Sequence, residues 1–360
     1  MDTLNNICTF AINKDEMVKE DIEILNDFLE ANCPSGNEKL IVDLFKSAIS
    51  PFVDDVSIDM LGNCIAHKKG NGKKIMLMSH CDEVGLMINH IDEQGYLYFK
   101  EVGGIDTNVL LSQRVLVEGN DGKGVVGIIG RKPIHLQSKA EGSLSTNTED
   151  LWIDIAALNK DEAQKKVSIG AYVSYLSKPL LFENGIIASK SLDDRIGLYT
   201  MIQIAQEIQN TDKEVYFIAS VQEEIGARGA MPITMNVMPD VGIAIDVTHA
   251  TDYPSISVIK YGDIKLGKGV VVPLGPNMNR DLTRAFISCS EKIGIPIQKE
   301  VITHPTGTDA KMIQISGNNI STGLISIPCR YMHTCNEMVS LDDVRSATSL
   351  LVEYIRNSDN

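Results

Sequence analysis

Aromatic residues are scarce in this chain of 360 residues: they make up 5%, with a single tryptophan. That leaves little material for the ring platforms of a carbohydrate groove. Basic residues are also outnumbered, 33 Lys and Arg against 48 Asp and Glu, for a net charge of −15. This balance repels the phosphate backbone of nucleic acids and the anionic face of membranes. Cysteine is present but not organised. There are seven, an odd number, and no Cys-x-x-Cys pair occurs, so neither a disulfide framework nor a thiolate zinc site is expected. Reduced thiols in a reducing compartment are the simpler reading. No apolar run approaches the ~20 residues that span a bilayer, and the first residues lack the basic-then-apolar pattern of a signal peptide. A cytoplasmic, soluble protein is expected. No internal repeat or low-complexity tract is found.

What is present suits a large core. Hydrophobic residues make up 43% of the chain, and the length fits one large or two modest domains. Residues 18–31 place Ile22, Leu25, Phe28 and Leu29 at helical spacing. After Pro34, Ser35 and Glu38 read as a capping box opening a helix with Leu40, Ile41, Leu44 and Phe45 on one face. A hairpin-like pair over 54–70 leads into the apolar run Ile75–Met78, the signature of a central strand. Residues 88–182 differ, with short strand-like runs and Gly-rich turns such as Asp121-Gly122, so a small all-β module is expected there. Within it, residues 139–150 are polar and read as a loop. Alternating helices and buried strands resume near 184, with helices over 191–209, 278–293 and 341–356. The fold class is α/β, with the β module interrupting the α/β part (1–87 and 183–360).

The ionisable residues fall in a pattern. Buried-looking strands run up to His80, to Glu223 and Glu224, and to Asp246, while the segment 326–333 leads to His333 and Asp193 precedes a helix. Open α/β sheets bind ligands outside the carboxyl ends of their strands. Histidines and carboxylates gathered there suit zinc, cobalt or manganese. A carboxylate has two oxygens and can bridge two ions at the short spacing of two-metal hydrolases. Asp82, two residues after His80, is placed to accept its second ring N–H. Adjacent acids such as Glu223-Glu224 repel after an apolar strand unless a cation compensates. Asp194 and Arg195 read instead as a charge pattern at a helix start with a local ion pair.

At this point the chain resembles the co-catalytic metallo-aminopeptidases that include glutamyl, deblocking and tetrahedral aminopeptidases. The matching stretches are CPSGNE (33–38), GNCIAHKKG (62–70), SHCDEVGLMI (79–88), SKSLDDRIG (189–197), VQEEIGARGA (221–230), AIDVTHATDYP (244–254), LGKG (266–269), GTDA (307–310) and ISIPCRYMHTCNEM (325–338). They occur in order along nearly the whole chain. The resemblance implies a mixed-sheet, three-layer catalytic domain interrupted by a β-barrel-like dimerisation domain (88–182), and dimers assembling to a dodecamer. It implies an aminopeptidase acting on short peptides with two divalent ions, zinc or cobalt, with manganese as a further option. Carried over residue by residue, His80 and Asp246 would hold one ion, Glu224 and His333 the other, and Asp193 both. Asp82 would orient His80, and Glu223 would be the general base. In GTDA, Thr308 and Asp309 are candidates to line the substrate site, with a turn residue as the equal alternative for Asp309. The sequence departs from the family pattern at Ala156 and at Gly170-Ala171, both in the β module. His135 matches the family, and an interface role is as good a reading as a catalytic one. Three other readings stay open: a glycoside hydrolase, an amidase or deacylase with the same type of dimetal site, and a non-catalytic scaffold.

Overall fold

A computed structural model describes residues 14–137, 147–317 and 319–358. The chain begins with helices α1 (Lys14–Glu30) and α2 (Lys39–Ile49) and strands β1 (Asp55–Ile58), β2 (Cys64–Lys68) and β3 (Lys74–His80). A barrel follows, from β4 (Gly85–Ile91), β5 (Leu97–Val102), β6 (Arg114–Glu118), β7 (Gly124–Gly130), β8 (Trp152–Asp154), the short helix α3 (Lys160–Lys166) and β9 (Tyr172–Tyr175). The chain continues through β10 (Leu180–Leu181), β11 (Ile186–Ser189), α4 (Leu192–Glu207), β12 (Glu214–Ser220), α5 (Ala230–Val237), β13 (Val241–His249) and α6 (Val258–Tyr261). It closes with β14 (Val270–Leu274), α7 (Arg280–Ile293), β15 (Ile297–Val301), α8 (Ala310–Ile315), β16 (Ser321–Cys329), β17 (Glu337–Ser340) and α9 (Leu341–Asn357).

Eight strands form one mixed sheet in the order β1-β2-β12-β3-β13-β16-β14-β15. The four central strands, β12, β3, β13 and β16, run parallel. Alternation along a strand sends successive side chains to opposite faces, and both faces are covered. Ile75 and Leu77 pack with Phe28, Phe45, Ile196, Phe286 and Leu350, under α1, α2, α4, α7 and α9. Met76 and Met78 pack the other way, with Ile233 of α5 and Ile313 of α8. This is the three-layer α/β architecture, and it explains why β3 is apolar without alternation. Two of the chain's methionines are thereby core fillers.

The barrel closes in the order β4-β5-β8-β7-β6-β9 around its own core of Leu86, Leu97, Val115, Ile129 and Ile153. Its first strand starts at Gly85, where an added Cβ would strike Pro34 and the Val173 carbonyl. Glycine lets the barrel dock this closely on the sheet domain. Ala156, one of the two departures from the family-like pattern, takes φ 54°. Of the loop expected over 139–150, residues 139–146 lie outside the described residues, and Thr148–Asp150 form a 3-10 turn. Among the described residues no helix is long and apolar enough to cross a membrane.

Three local expectations are corrected. The capping box at Ser35 and Glu38 does not form: α2 starts at Lys39, with Glu38 at its N-cap and no side-chain cap bond. The Ser35 hydroxyl donates instead to the buried carboxylate of Asp82 at 2.6 Å, a charge-assisted bond stronger than a neutral cap. The strand carrying Asp246 runs on to His249 rather than ending at the acid, because it stays paired with β16. Asp194 and Arg195 do not form the local ion pair expected of them but bond elsewhere. Both are fully buried. Arg195 donates to the Phe28 carbonyl at 2.8 Å, while Asp194 accepts from the Ser79 hydroxyl.

Candidate metal centre

Strand register sets the site. Ser220 pairs with His80 across β12 and β3. Ala244 pairs with Met78 across β13 and β3, so two residues further on Asp246 comes level with His80. The carboxyl ends of three parallel strands thus deliver His80, the turn holding Glu223 and Glu224, and Asp246 to one edge. Asp193 arrives from the first turn of α4, where its backbone is still non-helical (φ −77°, ψ 107°). His333 comes from the loop between β16 and β17 and sits in the left-handed region at φ 62°.

Two groups of ligand atoms result, His80 with Asp193 and Asp246, and Asp193 with Glu224 and His333, the atoms of each lying within 4.8 Å of one another. Asp193 belongs to both. Its Oδ1 lies 2.9 Å from His80 Nε2 and its Oδ2 lies 3.3 Å from His333 Nε2. Glu224 Oε2 is 3.2 Å from the same His333 nitrogen. His80 turns its other nitrogen, Nδ1, toward Asp82 Oδ1 at 3.4 Å, long for a hydrogen bond but correct for orienting the ring. Asp82 does more than the sequence suggested. Its Oδ1 accepts from the Glu223 amide at 3.0 Å and its Oδ2 from the Glu224 amide at 3.1 Å. One buried carboxylate therefore fixes the whole Glu223-Glu224 turn.

The electrostatics are those of a site built for cations. Burial, reinforced by Asp246, Asp309 and Glu224, pushes Glu223 up to about 10. Burial, together with Asp193, pushes Asp246 well above the usual carboxylate range. Burial raises Glu224 too, with Asp193 adding to it and His333 opposing. Burial works against the charge of His333, yet its hydrogen bonds to Asp193 and Glu224 outweigh it and hold the imidazole up to about 11. Without metal the cluster must share protons to relieve its acids; divalent cations would replace them. Glu224 Oε1 is buried with no hydrogen-bond partner, an atom left waiting for a positive charge. A mixed imidazole and carboxylate set fits borderline divalent ions.

The cluster floors a cleft of about 1020 Å³. Glu223 lines it but belongs to neither ligand group. Thr308 lines it as well, whereas Asp309 does not. Asp309 is buried behind the site and accepts from the Ser220 hydroxyl, the residue that ends β12. His135 is exposed on a 3-10 turn and is not among the cleft residues.

A model of the M42 glutamyl aminopeptidase family matches residues 62–350. The chain belongs to that family. Among curated M42-like relatives, it is 36% identical to the lysyl aminopeptidase of Pyrococcus furiosus, covering 94% of this chain and 99% of the relative. The TET aminopeptidase of the marine sediment archaeon Thaumarchaeota archaeon SCGC AB-539-E09 superposes with a TM-score of 0.90 at 32% identity, over 95% of this chain and 98% of that one. The Pyrococcus horikoshii TET1 peptidase, which can assemble into a tetrahedron or a large octahedral shell, gives 0.83 at 31% identity over 94% and 99%. The M42 chain is thus a hydrolase, a metallo-aminopeptidase, and the scaffold reading falls away.

Sequence reasoning passed over several residues of this M42 site. Glu337 accepts from the amides of both Asp193 and His333. Glu83 and Lys190 form a buried pair beside it. His249, His304, Lys299 and Met332 line the cleft. Glu337, Glu83 and Lys190 all lie inside the family-like stretches, next to residues that were singled out, but no local pattern reveals which backbone amides a carboxylate will reach.

Proposed function

We propose that this aminopeptidase works with two divalent ions, one held by His80 and Asp246, the other by Glu224 and His333, with Asp193 shared between them. The observation that carries the reading is the Asp193 carboxylate, which turns one oxygen to His80 and the other to His333. When bound, such ions polarise a scissile carbonyl and acidify a water molecule. Glu223 takes the proton of the attacking water and hands it to the leaving amine. Asp82 keeps Glu223 and Glu224 apart in role by holding both of their amides, so that one carboxylate stays at the ligand group and the other faces the cleft. Thr308, on the cleft wall, contacts substrate; Asp309, which holds Ser220, acts from behind.

Zinc or cobalt, with manganese as a substitute, is the expected metal, since the ligand set contains no thiolate. Short peptides are the expected substrates. The chain is read as a homo-oligomer in which the barrel, expected over 88–182, serves dimerisation and dimers build a dodecamer. The exposed Val126 and Ile128 of the barrel and the assembly named for the Pyrococcus horikoshii relative support this. Unpaired cysteines, four of them fully buried, agree with a cytoplasmic setting.

The test is release of N-terminal residues from a panel of short peptides by protein stripped with a chelator and reloaded with zinc, cobalt or manganese in turn. Trimming that returns with metal and stops when the N-terminus is acetylated supports the reading. Cleavage of the blocked peptides instead would move the assignment to a dimetal amidase. Light scattering on the reloaded protein checks the assembly.

A further inference from the structure

Glu337 opens β17, paired with Ser189 of β11 and 2% exposed. Neither of its oxygens serves the fold in the usual way. Oε2 accepts from the Asp193 amide at 2.9 Å and Oε1 from the His333 amide at 2.7 Å. One carboxylate therefore ties together the backbones of two residues, from α4 and from the loop after β16, whose side chains both enter the same ligand group. Both backbones need holding. Asp193 is not yet helical, and His333 lies at φ 62°, a conformation that disfavours any residue with a Cβ by roughly 1–2 kcal/mol. The loop carrying His333 is also held by Arg330 on Asp252 at 2.7 and 2.6 Å and by Cys335 in the barrel core, but the hydrogen bond to the backbone of His333 itself comes from Glu337.

We propose that Glu337 is a positioning residue that sets the separation of Asp193 and His333 and thereby the affinity of the ion they share with Glu224. The proposal rests on the ligand assignment made above. The side chain acts through two charge-assisted hydrogen bonds to amides, which only a carboxylate of this reach can accept together. Glutamine keeps one acceptor and aims an NH2 group at an N–H donor. Aspartate keeps the charge and both acceptors but falls one methylene short.

The experiment titrates zinc into the metal-free parent, Glu337→Gln and Glu337→Asp against a chromophoric chelator. Unfolding of the metal-free proteins and kcat and KM at several free-zinc concentrations are recorded alongside. For both variants at least one zinc affinity should fall by ~10–100-fold, as losses of an outer partner of a metal ligand do. Activity should recover when free zinc is raised, with KM little changed. Parent-like zinc affinity in both variants, with only the metal-free protein destabilised, would overturn the proposal and leave Glu337 a fold residue. Loss in the glutamine variant with parent-like aspartate would assign the effect to charge alone and overturn it too. His333→Ala separates this outcome from a failure of the ligand assignment. If that variant still binds the parent's number of ions, the assignment is wrong; if it loses one ion while Glu337→Gln binds normally, only the positioning role is wrong.

Discussion

Lys190 Nζ lies 2.7 Å from Glu83 Oε2, and the two side chains are 1% and 3% exposed. Glu83 also accepts from the Cys33 amide at 2.7 Å and the Ser174 hydroxyl at 3.2 Å, and from the Ser191 hydroxyl. Lys190 reaches the Ala31 carbonyl at 2.8 Å. This pair joins the loop after β3, the approach to α4 and strand β9 of the barrel, one layer behind the metal ligands. Burial opposes the charge of both partners. For Glu83 the Lys190 and Arg195 charges outweigh it and hold the carboxyl below its ordinary range, whereas burial wins at Lys190 and pulls its ammonium down.

Removing one partner leaves the other buried without the charge it pairs with. Lys190→Met and Glu83→Gln should each destabilise by roughly 3–5 kcal/mol, and the double variant by less than the sum. Urea unfolding of the metal-free proteins measures this. Because the folded Glu83 pKa is depressed, its contribution is present above the ordinary glutamate value of 4.5 and is lost as pH falls through the folded value. The parent should therefore lose more stability on acidification than Glu83→Gln does. Equal acid sensitivity would remove Glu83 from that account.

Glu223→Gln should lower kcat by about 10²–10⁴-fold, the range for losing a general base. Its metal content should stay at the parent level, since Glu223 is in neither ligand group. Elemental analysis beside the peptide assay decides it, and a variant that loses metal would make Glu223 a ligand.

Asp193→Ala should reduce binding of both ions, while Asp246→Ala and His333→Ala should each reduce one. Metal-to-protein ratios after dialysis at limiting zinc test the ordering. An Asp193 variant no worse than the other two would contradict a shared ligand.

Gly197 in α4 has no room for a side chain. An added Cβ would stand under 3.0 Å from the Ser79 hydroxyl and from both Asp194 oxygens. Gly197→Ala should destabilise by about 1–3 kcal/mol, the usual cost of overpacking a core, and should disturb the end of β3 that carries His80. Thermal unfolding and zinc titration read both effects.

Ala156 is exposed in the barrel at φ 54°. Ala156→Gly relieves a left-handed alanine, and although glycine adds freedom to the unfolded chain, the variant should gain up to ~1 kcal/mol. A fall in melting temperature would show that the local strain is negligible.

Much of this was legible along the chain. The apolar runs of β3, β12 and β13 mark buried parallel strands because such strands are covered on both faces. Charged residues at or near their ends stand out against that background, so His80, Glu223, Glu224 and Asp246 could be picked out together as a set, though not singly. The mistakes came where a local pattern met a distant partner. Ser35 and Glu38 have the spacing of a capping box, yet Asp82, 47 residues away, takes the Ser35 hydroxyl. Asp194 and Arg195 have the look of a local ion pair in sequence, yet α4 is buried nearly all round and each finds a more distant partner, Ser79 and Phe28.

The sequence alone determined the alternation of elements, the interrupting run of short strands and the residue types at the strand ends, because the periodicity of apolar residues is a local property of a chain. Only tertiary structure decided the strand order that sets β3 between β12 and β13, and with it which acids come together at the cluster. It also decided the supports: Glu337 reaches the Asp193 amide across 144 residues, and Lys190 meets Glu83 across 107. A hydrogen bond depends on distance in space, and at such separations no spacing along the chain encodes it.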